Sequence, residues 1–174
     1  MSDCFDSVRL QMRPQRVDDA DALFEAYSDA GLMHHWSSAP HHSVEETRAY
    51  LTPKVEMDDW RGWSITLTGA DRAIGTLAAG MVRPGVMEIG YLLARRFWHQ
   101  GYAREAVSRL IDKLFVEEGA RRIWADTDPD NAASNGLLER LGFKREGLLR
   151  EEWETHIGVR DSIIWGLLHH EWRP

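Results

Sequence analysis

The segment from Met87 to Phe115 constrains the fold more than any other part of this sequence. An apolar run, Met87 to Leu93, leads into the basic glycine loop Arg95-Arg96-Phe97-Trp98-His99-Gln100-Gly101. The pattern then changes to Ala103, Ala106, Val107, Leu110, Ile111, Leu114 and Phe115, whose spacing by three and four lines one helix face. Gly119 follows as a helix stop, and Glu105 with Arg109 reads as an i,i+4 ion pair. Arg122-Ile123-Trp124-Ala125-Asp126 comes next as a strand. The intervening helix makes that strand parallel to its predecessor. A helix start also leaves unpaired N–H groups and partial positive charge. Beside Gly101, where a ligand can approach the main chain, this suits a phosphate or pyrophosphate.

Upstream, Val8-Arg9-Leu10-Gln11-Met12 alternates as a half-buried strand that Pro14 ends. From Val17 a first helix carries Ala20, Leu23, Phe24 and Tyr27 inward, with Asp18 and Asp19 in its first turn. Residues 31–42 lack periodicity. Ser43 and Glu46 then form a capping-box pattern that opens a second helix through Leu51. Strands over 63–67 and 73–82 are joined by a turn at Gly69-Ala70-Asp71-Arg72, and Pro84-Gly85 turns the chain into the strand 86–93. Beyond the crossover, 130–141 makes a short helix with Ala133, Leu137 and Leu141 on one stripe, stopped by Gly142. Phe143–Leu149 and Asp161–Leu168 read as two strands bridged by a long hairpin around His156-Ile157-Gly158. The expectation is one α/β (α+β) domain over residues 1–174, an antiparallel meander feeding a strand–loop–helix crossover, with about four helices.

At 174 residues the chain has room for one domain with a proper core. A formal charge of −7 argues against a general nucleic-acid binder and is compatible with a cationic substrate. The single cysteine, Cys4, excludes an internal disulfide and fits a reducing compartment. The acidic N-terminus has no signal-peptide pattern, and no apolar run reaches the length of a membrane span, so the expected location is the cytoplasm.

Gln100-Gly101-Tyr102-Ala103-Arg104-Glu105-Ala106, followed by Asn131-Ala132-Ala133-Ser134 and then Leu141-Gly142-Phe143, resembles the GNAT superfamily of acyl-CoA-dependent N-acetyltransferases, most of all its Rim-type branch, which includes ribosomal-protein N-terminal acetyltransferases. The resemblance implies a sheet splayed between two central parallel strands, with acetyl-CoA lying in the gap and no metal. It assigns Leu92 and Leu93 to the pantetheine arm. Gln100, Gly101, Tyr102 and Ala103 go to the pyrophosphate, and Arg96 and Arg104 add charge. Asn131 becomes a further ligand to the coenzyme, and Ser134 the proton donor to the leaving thiolate. The sequence departs from the superfamily at Trp98, where Gln or Arg is frequent, and at Leu138, where many members carry a tyrosine acid. Residues between the first two helices form one acceptor wall in that family. His34, His35 and Trp36 are expected to line it here, with Glu154 adding an acid to an aromatic amine cage.

Attack by an amine needs a proton acceptor and donors for the developing oxyanion. Glu88, two residues before Gly90 and on the same side of the strand, is the candidate base; it also reads as a solvent-facing or salt-bridged strand carboxylate. Gly90 reads as a bulge or a close backbone approach; a bulge there would open the sheet so that an amide-bearing ligand bonds like an added strand, with the backbone N–H near Leu92 as oxyanion donor. Asn131 and Ser134 equally read as an N-cap and a first-turn residue, and the thiolate, with a pKa near ~8.5, can leave unassisted. His34, His35, His41 and His42 read as exposed loop histidines; adjacent histidines converge poorly, and no cysteine pair joins them for zinc. An acetyl-CoA-dependent transferase acting on a small-molecule amine or a protein N-terminus leads. A non-catalytic acyl-CoA sensor on the same fold is the alternative. A nucleotide-binding redox enzyme lacks its Gly-x-Gly-x-x-Gly. Trp153 and Trp172, read as edge residues, offer a homodimer surface.

Overall fold

The computed structural model describes residues 3–57 and 59–173. Within the described residues eight strands form one sheet: β1 (Phe5–Asp6), β2 (Leu10–Pro14), β3 (Trp60–Leu67), β4 (Ala73–Arg83), β5 (Val86–Leu93), β6 (Arg122–Thr127), β7 (Lys144–Thr155) and β8 (Gly158–Leu168). Their order is β1-β2-β3-β4-β5-β6-β8-β7. Among the described residues five α-helices flank it: α1 (Ala20–Tyr27), α2 (Ala30–Met33), α3 (Val44–Val55), α4 (Tyr102–Asp112) and α5 (Ala132–Arg140). The neighbours pair antiparallel except β5 and β6, which the α4 crossover makes parallel. No helix among the described residues is long and apolar enough to cross a membrane.

The strand period of two sorts side chains between the faces. Met12, Ile65, Leu77, Met87 and Ile89 bury against Val107, Leu110 and Ile111 of α4. On the other face Leu92 joins Leu23 and Tyr27 of α1 and Leu51 of α3. Each such aliphatic side chain contributes roughly 1.5–3 kcal/mol of transfer free energy, so the sheet is anchored on both sides.

The feature that matters for function is a break in pairing. β5 meets β6 at Val86↔Arg122, Met87↔Ile123 and Glu88↔Trp124 and no further. Beyond that point β5 stays on β4 as far as Leu93↔Gly75, whereas β6 stays on β8 as far as Thr127↔Ile163. The sheet therefore divides just after Glu88. The expected bulge at Gly90 is absent: Gly90 pairs regularly with Ala78, and the register shift lies at Met81/Arg83. Divergence of the parallel pair opens the gap.

Other expectations are corrected. Glu105 bonds Ser7 Oγ at 2.7 Å and Arg9 Nε at 2.7 Å instead of Arg109, which pairs with Glu117 across a π-type turn (Lys113–Glu117) ahead of Gly119. The last hairpin is tight because β7 and β8 are long, and β7 absorbs a bulge between Leu149 and Trp153. Trp172 is buried, its indole donating to Asp112 at 2.6 Å, so it offers no edge surface. Trp153 is 51% exposed. His41 is buried, stacked on Tyr27 at 5.0 Å with Nδ1 2.9 Å from Thr47 Oγ1, and burial depresses its pKa. The capping box is offset: Ser43 Oγ accepts from Glu46 N–H, but the Glu46 carboxylate accepts from His42 N–H.

Candidate active site

The gap opens into a cavity of about 730 Å³. Its walls are Glu88–Leu93 of β5, Ala125–Thr127 of β6, parts of the 97–104 loop, and Ser134 on α5. At its other end stand His34–Ser37 and the β7 residues Trp153–Thr155.

The loop is built to present its main chain. His99 (φ 60°) and Gly101 (φ 81°) both take left-handed conformations, which turn successive amides toward one side. Glu105 N–H reaches back to Gly101 O, so the N–H groups before it lie in the first turn, ahead of the helical ladder. A Cβ on Gly101 would sit 3.3 Å from the Arg9 guanidinium. Arg9 fixes the loop by donating to Gln100 O at 3.0 Å and lying 4.5 Å over the Tyr102 ring. That tether links positions 91 residues apart and leaves no local pattern in the sequence.

Of the loop residues picked from sequence, Gly101, Tyr102, Ala103 and Arg104 line the cavity, as do Leu92 and Leu93. Arg96 pairs with Glu25 at 3.1 Å and Gln100 bonds Arg96 O at 3.0 Å; neither side chain is part of the lining. Trp98, in place of the frequent Gln or Arg, turns its indole N–H onto Leu93 O at 2.8 Å, under the Arg95 guanidinium at 4.8 Å.

Glu88 stands at the fork. Burial, and secondarily the negative charge of Asp126, push its pKa up to about 7. A carboxyl poised there exchanges protons near neutrality, which suits a general base. Asp126 is itself held by Trp153 Nε1 at 2.6 Å and Ser162 Oγ at 3.0 Å. Removing its charge with Asp126→Asn should move the Glu88 titration to lower pH, measured as an acid shift of the pH–rate limb.

Asn131 is the N-cap of α5, its side chain accepting from Ser134 N–H at 3.1 Å, and Ser134 Oγ faces the cavity 2.6 Å from the Tyr91 hydroxyl. Leu138 is fully buried, so its position presents nothing to the cavity.

His34, His35, Trp36 and Glu154 all line this second end of the cavity. Trp36 donates to Tyr50 OH at 3.1 Å, and His35 Nδ1 lies 3.7 Å from Asp128. Asp128 is drawn below the usual carboxylate range by Arg160. Sequence reasoning missed Trp60 altogether and left Tyr91, Asp126 and Trp153 out of the site. A signal for Trp60 existed: it lies opposite Gly80, where a Cβ would be 2.1 Å from its ring, and near Gly90, whose missing Cβ would meet only Trp60 Cζ2 at 4.0 Å. Glycines in adjacent strands make room for one indole. Among the described residues no three His, Cys, Asp or Glu side chains gather for a metal ion.

A split parallel pair beside an amide-presenting loop makes a cleft suited to an extended, amide-bearing ligand with an anionic end. Residues 9–144 match the acetyltransferase (GNAT) domain family. The chain is 32% identical over 169 residues to the uncharacterised N-acetyltransferase p20 of Bacillus licheniformis, covering 94% of this chain and 95% of that one. It is 29% identical over 86 residues to the [ribosomal protein uS5]-alanine N-acetyltransferase of Escherichia coli, covering 49% and 44%. The crystal structure of a GNAT-family acetyltransferase from Bacillus anthracis superposes with a TM-score of 0.87 at 23% identity, over 97% of this chain and 99% of that one. The chain belongs to the GNAT family of acetyltransferases, and it is an N-acetyltransferase enzyme.

Proposed function

We propose that the chain is an acetyl-CoA-dependent N-acetyltransferase in which a primary amine attacks directly within a ternary complex. The observation that carries this reading is the end of β5–β6 pairing at Glu88↔Trp124, because it leaves the main chain of β5 open to an extended amide-bearing ligand beside the left-handed loop. The residues fit acetyl-CoA: Gly101 and the first turn of α4 would receive its pyrophosphate, and Leu92 and Leu93 would flank its pantetheine arm. When bound, it supplies the thioester carbonyl.

The remaining chemistry falls to this chain. Glu88 takes the proton from the amine nitrogen, directly or through water, in a site where its pKa of about 7 keeps a useful fraction ionised at neutral pH. A backbone N–H near Leu92 receives the oxyanion charge. Trp36, Trp60 and the carboxylates Asp126 and Glu154 favour a cationic acceptor. This suits a small-molecule amine or a protein N-terminus, as in relatives acting on a ribosomal protein. A neighbour of the same fold, the spermidine N-acetyltransferase of Vibrio cholerae, was crystallised with CoA and spermine.

Calorimetry with CoA, and thiol release from acetyl-CoA over a panel of amines and N-terminal peptides, tests the reading. Absence of binding in the micromolar range would overturn it, and tight binding without thiol release would leave a sensor. Gly90→Ala should lower kcat/KM by about tenfold while shifting the melting temperature little, because the added Cβ meets only Trp60 Cζ2, at an ordinary contact distance of 4.0 Å.

A further inference from the structure

Ser134 is tethered twice. Its N–H is held by Asn131 Oδ1 at 3.1 Å, and its Oγ lies 2.6 Å from the hydroxyl of Tyr91, which also approaches Ser134 O at 3.4 Å. Tyr91 sits on the part of β5 that has left β6, and both side chains line the cavity. A serine hydroxyl that is free to rotate spends its one proton on any acceptor nearby. Once the tyrosine hydroxyl donates to Ser134 Oγ, the serine proton is left to point into the cavity.

We infer that Tyr91 is a positioning residue: it orients the Ser134 hydroxyl so that this hydroxyl donates a hydrogen bond to the sulfur departing from the thioester. The inference rests on the proposed acetyl-CoA reaction. When the tetrahedral intermediate collapses, the C–S bond breaks and its electron pair goes to sulfur. The thiolate leaves hydrogen-bonded to Ser134 and takes its proton from solvent. The amine proton has passed to Glu88 and returns to solvent, so charge and protons balance without ionising either hydroxyl. Burial pushes the Tyr91 phenol up to about 12, so it stays a donor throughout the working pH range. The chain thus supplies a phenol from a strand, on a site where Leu138 of α5 is fully buried.

A donor aimed at the sulfur lowers the pKa of the CoA thiol when CoA itself is bound, which can be read without turnover from the ultraviolet thiolate band. In the wild type the bound thiol should titrate about one unit below that of free CoA measured alongside it, and in Tyr91→Phe and Ser134→Ala it should return to the free value. In turnover, Tyr91→Phe should lower kcat about tenfold with acetyl-CoA and leave KM for acetyl-CoA unchanged. The loss should shrink below about twofold with the selenoester analogue, whose more acidic selenol needs no donor. Tyr91→Phe combined with Ser134→Ala should be no slower than Ser134→Ala alone. An unshifted thiol pKa in the wild type, equal losses with both donors, or additive losses would overturn the assignment. Failure of the wild type to bind CoA would instead remove the reaction on which it rests, and calorimetry separates the two results.

Discussion

Glu88→Gln should lower kcat by about a hundredfold or more at pH 8 and by little below pH 6, because a general base contributes roughly 10²–10⁴ in rate only where it is ionised. The wild-type kcat should rise through a limb near pH 7, following the Glu88 carboxyl, and the variant should lack it. The same substitution should change stability in the opposite sense. The Glu88 pKa is raised from an ordinary 4.5 to about 7, so the folded chain holds its proton more tightly than the unfolded one. The stability contributed by the neutral acid is fully present below pH 4.5 and is lost as pH rises through about 7. Glutamine escapes that loss. At pH 8 the variant should be more stable by roughly 1–2 kcal/mol, less than the full shift implies because Glu88 is only half-buried, and its melting temperature should be higher by about 2–6 °C. At pH 4.5 the two should melt together. A variant both slower and more stable above neutrality is the signature of a carboxylate held at a cost for its chemistry. A variant slower at all pH values, with an unmoved melting curve, would remove Glu88 from the role of the titrating base.

The parts of the fold legible in sequence were those set by local period. The change from alternation to a helical stripe at Ala103 fixed α4, and with it the parallel pairing of β5 and β6. Glu88 was accessible to reasoning because it sits on such a pattern, whereas Ser134 and Trp36 were singled out only through the family resemblance. What could not be read depends on distant partners. Arg9 reaching Gln100 and Glu105, Tyr91 reaching Ser134, and Trp153 reaching Asp126 join positions separated by 91, 96, 43 and 27 residues, and no period relates them. The Glu105–Arg109 pairing failed for the same reason: a weak i,i+4 pair on a helix surface yielded to the β2 side, where Glu105 gains Arg9 and Ser7. Gly90 was singled out correctly as a gap but for the wrong cause. A missing Cβ signals room, and cannot say whether a bulge or an approaching indole uses it.

Asp19→Ala should destabilise the protein by about 3–5 kcal/mol, the loss expected when one partner of a buried ion pair is removed and the other remains. Arg13 and Asp19 have side chains only 6% and 7% exposed and meet through two bonds, at 2.6 and 2.9 Å. Asp19 also accepts from Ser64 Oγ at 2.7 Å and Arg16 N–H at 2.8 Å, while Arg13 reaches on to Asp71 in the β3–β4 turn. Burial by itself pushes the Asp19 carboxyl up; the bonds from Arg13, Ser64 and Arg16 outweigh it and leave the carboxyl below its ordinary 3.8. Its stabilising effect is therefore present above pH 3.8 and is lost as pH falls further, so the variant and wild type should converge in acid. Near neutrality the melting temperature should fall by roughly 10 °C. Replacing both charges, Arg13→Met with Asp19→Leu, should recover much of the loss, because no uncompensated charge stays buried. The network also reaches the cavity wall proposed to meet the acceptor. It fixes the start of α1, whose Tyr27 stacks on His41 and packs against Tyr50 at 5.2 Å, and Tyr50 in turn holds the Trp36 indole. At a temperature where Asp19→Ala is still folded, KM for the amine should therefore rise while CoA affinity holds, since the loop at Gly101 is tied instead to Arg9. Equal weakening of both ligands would mean that the charge network supports the whole sheet without preference for the wall that meets the acceptor.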